Sequence, residues 1–131
     1  MTQTLTYLQH HQQLLKELTS HADELLAIDP IQDAQLKALH EELTTLASAP
    51  VDEAFYALGQ RVLVKIVAGW PQLTPSVSRD LFWFFGGDCL QYMPDEEIAN
   101  YQKLDEARFQ AESTGEPFDI AAAKAKIFGL H

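Results

Sequence analysis

The sequence predicts an all-α protein, and three observations carry that prediction. Apolar residues in the first 48 positions recur at heptad spacing. Cap, proline and acid signals mark helix starts at five successive places, and no alternating apolar–polar run offers a strand a partner. The expected architecture is a single-domain bundle over residues 1–131 with five main helices. An N-terminal antiparallel helical hairpin (1–48) precedes core helices (51–113), and a turn with a short C-terminal helix (114–131) closes the chain.

The first helix is expected from Thr4 to about Ala27, where Leu8, Leu15 and Ala22 repeat every seven residues beside His11, Leu18 and Leu25. Asp29-Pro30 with Gln32 reads as a box-like start for the second, whose seam is Leu36, Leu39, Leu43 and Leu46. So short a connection makes the two helices antiparallel neighbours. Pro50 breaks the pattern, and Asp52-Glu53 supplies the acids that a helix N-terminus favours. The third helix is apolar over much of its circumference through Phe55, Leu58, Val62, Leu63, Val64, Ile66 and Val67, which places it centrally. Gly59 on that broad face either admits a close neighbour or is merely tolerated.

Gly69-Trp70-Pro71 ends the third helix, and Thr74-Pro75 is expected to start a fourth. Leu81–Phe85, apolar on every side, reads as helix because a lone strand has nothing to pair with. Trp83 inside it is expected to be shielded from water. Met93-Pro94-Asp95-Glu96-Glu97 starts the fifth helix, which runs to about Ser113 with Ile98, Tyr101 and Phe109 on its core face. After the Thr114–Pro117 turn, Asp119 caps an alanine-rich helix carrying Ile120, Ile127 and Phe128.

Composition narrows the function classes. An apolar fraction of 47% gives material for a core, and a formal charge of −10 opposes an electrostatic hold on nucleic acid or on anionic lipid. One cysteine, Cys89, excludes an intrachain disulfide and suits a reducing compartment, so the expected location is cytoplasmic. No run approaches the roughly 18 apolar residues of a membrane span.

The stretch FWFFGGDCLQYMPDEEIANYQKLDEAR, residues 82–108, resembles the signature block of a small uncharacterised proteobacterial protein family of similar length. The resemblance implies a bacterial cytosolic protein and assigns no chemistry.

The residues themselves are equally sparing of catalytic motifs. G-x-G-x-x-G and G-x-x-x-x-G-K-[ST] phosphate loops do not occur, nor do H-E-x-x-H or paired E-x-x-H around His10, His11, His21, His40 and His131. Glu17 and His21 share a helix face as an exposed contact rather than a metal pair, and no metal or cofactor is expected. Cys89 follows Asp88, which raises a thiol pKa, so a buried structural cysteine is expected.

The unusual feature is polar residues at apolar positions. Asp105 projects between the core residues of the fifth helix, with Arg108 beside Tyr101. If the fourth helix continues through Gly86-Gly87, Asp88 shares a face with Val77, Leu81 and Phe84. Buried carboxylates need cations, and Arg61, Lys65 and Arg108 are at hand. Asp88, Asp105, Arg108, Arg61 and Tyr101 are therefore the candidate ligand-binding residues, as a polar pocket or as a structural ion-pair network. None is assigned a catalytic role. Residues 88–119 also hold nine acids against Lys103 and Arg108, a face that is solvated or suited to a basic partner. The function these observations favour is a non-enzymatic protein-interaction or regulatory module with an unidentified protein partner, a basic protein or a second copy of the chain. The alternative is a small ligand-binding protein or enzyme built on the Asp/Arg cluster. A cavity of a few hundred Å³ lined by those residues favours the alternative, and a filled core favours the module.

Overall fold

Thr6 and Gln9 open the first helix by capping one another: the Thr6 amide donates to Gln9 Oε1 at 3.0 Å, and the Gln9 amide donates to Thr6 Oγ1 at 3.1 Å. This T-x-x-Q capping box stands at the head of α1 as described, and the expected start at Thr4 lies outside the described residues. The computed structural model describes residues 6–28 and 34–129. Their elements are α1 (Tyr7–Ile28), α2 (Ala34–Ser48), α3 (Glu53–Gly69), α4 (Arg79–Phe85), α5 (Asp95–Thr114) and α6 (Ile120–Phe128). Two 3₁₀ turns, Thr74–Ser76 and Gly87–Tyr92, flank α4, and no strand occurs among the described residues. The protein is all-α, as the patterning predicts. By contact it divides into two compact units, His11–Tyr92 and Met1–His10 with Met93–His131.

Within the 11–92 unit, α1 and α2 pair antiparallel. Thr19 Oγ1 donates to its own Leu15 carbonyl at 2.8 Å and lies 3.5 Å from that of Leu43, while Asp23 Oδ1 stands 2.6 Å from His40 Nε2. Partners thus fall in number on α2 as they rise on α1. His11, Leu15, Leu18 and Ala22 are buried, as are Leu36, Leu39, Leu43 and Leu46. Leu8 is exposed and Leu25 half-buried, so the seam is shorter than its heptad pattern. The Asp29-Pro30-Gln32 cap lies outside the described residues.

Asp52 caps α3, its carboxylate accepting from the Phe55 amide at 2.8 Å. Helix α3 contacts α2, α4 and the Gly87–Tyr92 turn, which makes it the centre of this unit. Gly59 is the close-approach site: the edge of the Phe85 ring occupies the space its Cβ would need. Phe55, Tyr56, Phe84 and Phe85 form one aromatic cluster with ring centroids 5.1–6.2 Å apart. The buried His11 ring stacks on Phe84 at 4.3 Å.

Around α4 the structure corrects the sequence reading. Thr74-Pro75 does not start the helix, because the Thr74 hydroxyl turns back onto the end of α3, 2.9 Å from the Trp70 carbonyl and 3.2 Å from that of Ile66. Ser78 is the cap instead, accepting from the Asp80 amide at 3.2 Å. Gly86, at φ +65° and ψ −148°, ends the helix in a conformation essentially reserved for glycine. The helix therefore does not continue through Gly86-Gly87, and Asp88 leaves the apolar face of Val77, Leu81 and Phe84. Trp83 is half-buried rather than shielded. Residues 80, 81, 82, 84 and 85 take the buried directions of this short helix, and Trp83 shares the remaining one with exposed Arg79, four residues back.

In the other unit α5 and α6 pack together, and the Tyr101 ring meets that of Phe128 edge-on at 4.9 Å. Asp119 caps α6 by accepting from the Ala122 amide at 3.2 Å. The core stripe of α5 is Tyr101 and Leu104, with Asp105 half-buried at its margin and Arg108 half-buried one turn beyond Leu104 in the direction of the stripe. Phe109 is not on it. At 3.6 residues per turn Phe109 sits about 100° round the helix from that stripe, and it is 56% exposed.

Candidate functional site

Arg108 of α5 is held by two rings and two carboxylates. Its guanidinium carbon lies 3.9 Å from the centroid of the Tyr7 ring and 4.6 Å from that of Phe109. Asp105 Oδ1, one turn back, is 3.6 Å from Nη2, and Glu112 Oε1, one turn on, is 3.3 Å from Nη1. Helical spacing supplies both carboxylates, and the fold supplies Tyr7. The Asp105 and Arg108 side chains retain 25% and 17% of their exposure. Such a partly wetted pair within one helix contributes up to about 1 kcal/mol, well below the roughly 3–5 kcal/mol at stake in a fully buried one.

The remaining candidates are each placed within their own unit. Tyr101 fills the α5–α6 core against Phe128. Arg61 lies in the other unit, on the exposed stripe of α3 shared by Ala57, Lys65 and Ala68, and Lys65 reaches Glu42 at 2.9 Å. Asp88, also of that unit, is exposed beyond the Gly86 turn. The buried carboxylate near α4 is Asp80 instead, which sequence reasoning missed. An acid in a helix's first turn ordinarily reads as a complement to the dipole, and Asp80, behind Ser78-Arg79 and just ahead of the apolar run 81–85, carries no other sequence signal. His21 finds Glu24 at 3.8 Å, three residues on, rather than Glu17.

Open grooves run between α2 and α3 (about 440 Å³), beside α4 (about 610 Å³) and between α5 and α6 (about 580 Å³). The first has Leu39, Ala68 and Trp70 in its wall and the last Ala107, Lys126 and Ile127. Asp88, Asp105, Arg108, Arg61 and Tyr101 line none of the three. Among the described residues no group of three or more His, Cys, Asp or Glu side chains is arranged to hold a metal ion. No described helix is long and apolar enough to cross a membrane.

Cys89 is fully buried, its Sγ 3.9 Å from the Gln60 carbonyl of α3. Burial, with the Asp88 charge beside it, pushes the thiol up from 9.0 to about 11. The thiolate is disfavoured in the fold, so stability present below pH 9 is expected to fall as pH rises from about 9 to 11, where the unfolded chain has lost its proton and the native one has not. Denaturant melts of the parent and Cys89→Ala across that range check this, the variant being expected to lose the dependence assigned to the thiol. Native protein at pH 8 is expected to react with a thiol reagent at least tenfold more slowly than unfolded protein.

Comparison with known proteins gives one positive result, a match of residues 3–130 to the model of the PA2817-like family, a family of unknown function. No curated protein and no solved structure matches the chain.

Proposed function

This chain belongs to the PA2817-like family, and on that premise we propose that it is a non-enzymatic protein-interaction or regulatory module. The observation that carries the reading is the Tyr7–Arg108–Phe109 stack. A large aromatic side chain stands 56% exposed while the arginine beside it is immobilised by a second ring and two carboxylates. Aromatic residues and arginine dominate the energetic centres of protein interfaces, and a fixed arginine has less rotamer freedom to lose on binding.

Affinity-tagged parent and Phe109→Ala chains, recovered under mild cross-linking from the native cell, provide the test. A protein recovered in near-stoichiometric amount with the parent is expected to fall roughly tenfold or more with Phe109→Ala, the loss that removing a hot-spot ring produces. Equal recovery with both chains, or recovery with neither, would overturn the reading.

A further inference from the structure

We infer that the face of α5 around Phe109 receives a basic segment of another protein, with a lysine or arginine of that partner seated over the Phe109 ring. The inference rests on the interaction reading above and adds the chemistry of the partner. On an α-helix the neighbours of a residue lie three and four positions away. For Phe109 these are Asp105, Glu106, Glu112 and Ser113, three of them carboxylates. Arg108 leans against the ring and pairs with two of these carboxylates, Asp105 and Glu112, so one cation stands against three acids, the surroundings of the exposed aromatic stay net negative, and Glu106 is the acid with no ion pair described for it.

An aromatic face rimmed by carboxylates is suited to a guanidinium or ammonium group. The ring quadrupole attracts the cation, and the carboxylates accept its hydrogen bonds. Glu106 is exposed on the flank of this face. Self-association through the same surface is disfavoured, because two copies would set carboxylate rims against each other in a chain of formal charge −10. Charge complementarity therefore selects a basic partner over a second copy.

The test places a photoreactive side chain at the centre of the face. Phe109→p-benzoylphenylalanine is expressed in the native cell, irradiated, and the cross-linked segment is sequenced by mass spectrometry; a melting temperature equal to the parent's establishes that the variant is folded. The expected result is a single main adduct within a segment carrying an excess of Lys and Arg. Its yield is expected to fall several-fold with Glu106→Lys, and likewise when 0.5 M NaCl is present during irradiation of a lysate. Cross-linking to a neutral or acidic segment, to a second copy of this chain, or with a yield indifferent to Glu106→Lys overturns the basic-partner inference while leaving an interaction at Phe109 standing. Absence of any adduct overturns both. Capture of a protein does not by itself count in favour; the charge of the segment that meets position 109 decides.

Discussion

Gly59→Ala is expected to destabilise the protein by roughly 1–3 kcal/mol, although glycine to alanine in a helix interior ordinarily stabilises by up to about 1 kcal/mol. The usual gain is overridden because the added methyl would enter the edge of the Phe85 ring. That ring has little room to retreat. Phe55, Tyr56 and Phe84 stand around it at centroid distances of 5.1–6.2 Å, and the Phe85 carbonyl is held by Gln60 Nε2 at 3.0 Å. Urea denaturation of Gly59→Ala, Phe85→Leu and the double variant measures the effect. Because both changes act on one contact, the double variant is expected to be more stable than the sum of the singles, by about 0.5–3 kcal/mol of coupling. A Gly59→Ala protein with the parent's midpoint would show that the ring yields freely, and the account of Gly59 as a close-approach site would be wrong.

Gly59 also illustrates what patterning can and cannot convey. Its place on the broad apolar face of α3 was legible, since periodicity reports which face is buried. That an aromatic ring rather than a helix backbone fills the space was not, because Phe85 is 26 residues away and local pattern carries no information about which side chain arrives. The same division holds elsewhere. The seam of α2 is read without error from Leu36, Leu39, Leu43 and Leu46, and the cap Asp119 from its own sequence signal, whereas Asp52 reads as a first-turn acid and is instead the N-cap of α3. Thr74 misled because a Thr-Pro pair serves equally to start a helix or to finish the preceding one. Only the fold, by presenting the Ile66 and Trp70 carbonyls, decides which. The Thr6–Gln9 box was available in the sequence and was obscured by the heptad run around it.

The candidate site was legible to the same extent. The i, i+3 spacing of Asp105 and Arg108 foretold their pairing, which helix geometry alone determines. Asp88 and Arg61 were drawn in by assuming that α4 runs on through two glycines and that a flanking cation turns inward. The first assumption failed on the backbone of Gly86. The second failed on the exposed stripe of α3. Phe109 was assigned to the core because Ile98, Tyr101, Asp105 and Phe109 form a row at spacings of three and four, but tertiary packing chose the neighbouring row through Leu104. Hydrophobic identity therefore concealed the residue on which the proposed interaction now turns.

Leu43→Ala is expected to cost about 2–5 kcal/mol. Leu43 is fully buried in the α2 seam opposite α1, as are Leu15 and Leu18 on the facing helix. Truncation removes three carbon atoms from a fully buried site where the two helices approach closely, the Thr19 hydroxyl lying 3.5 Å from the Leu43 carbonyl. Helices held at such contacts close over a void only partly, so a cavity term adds to the lost burial. Against a total stability of about 5–15 kcal/mol, a loss of this size lowers the melting temperature by many degrees. Phe109→Ala, by contrast, removes a larger side chain yet is expected to change stability by no more than about 0.5 kcal/mol, because its ring is 56% exposed and most of its area is already in water. Melting the two variants beside the parent tests burial against residue type: hydrophobicity alone ranks phenylalanine with leucine, whereas the fold separates them by severalfold in free energy. A Phe109→Ala protein that melted like Leu43→Ala would return the ring to the core and remove the surface on which a partner is proposed to dock. The expected order makes loss of binding in a fully folded Phe109→Ala chain attributable to the missing ring.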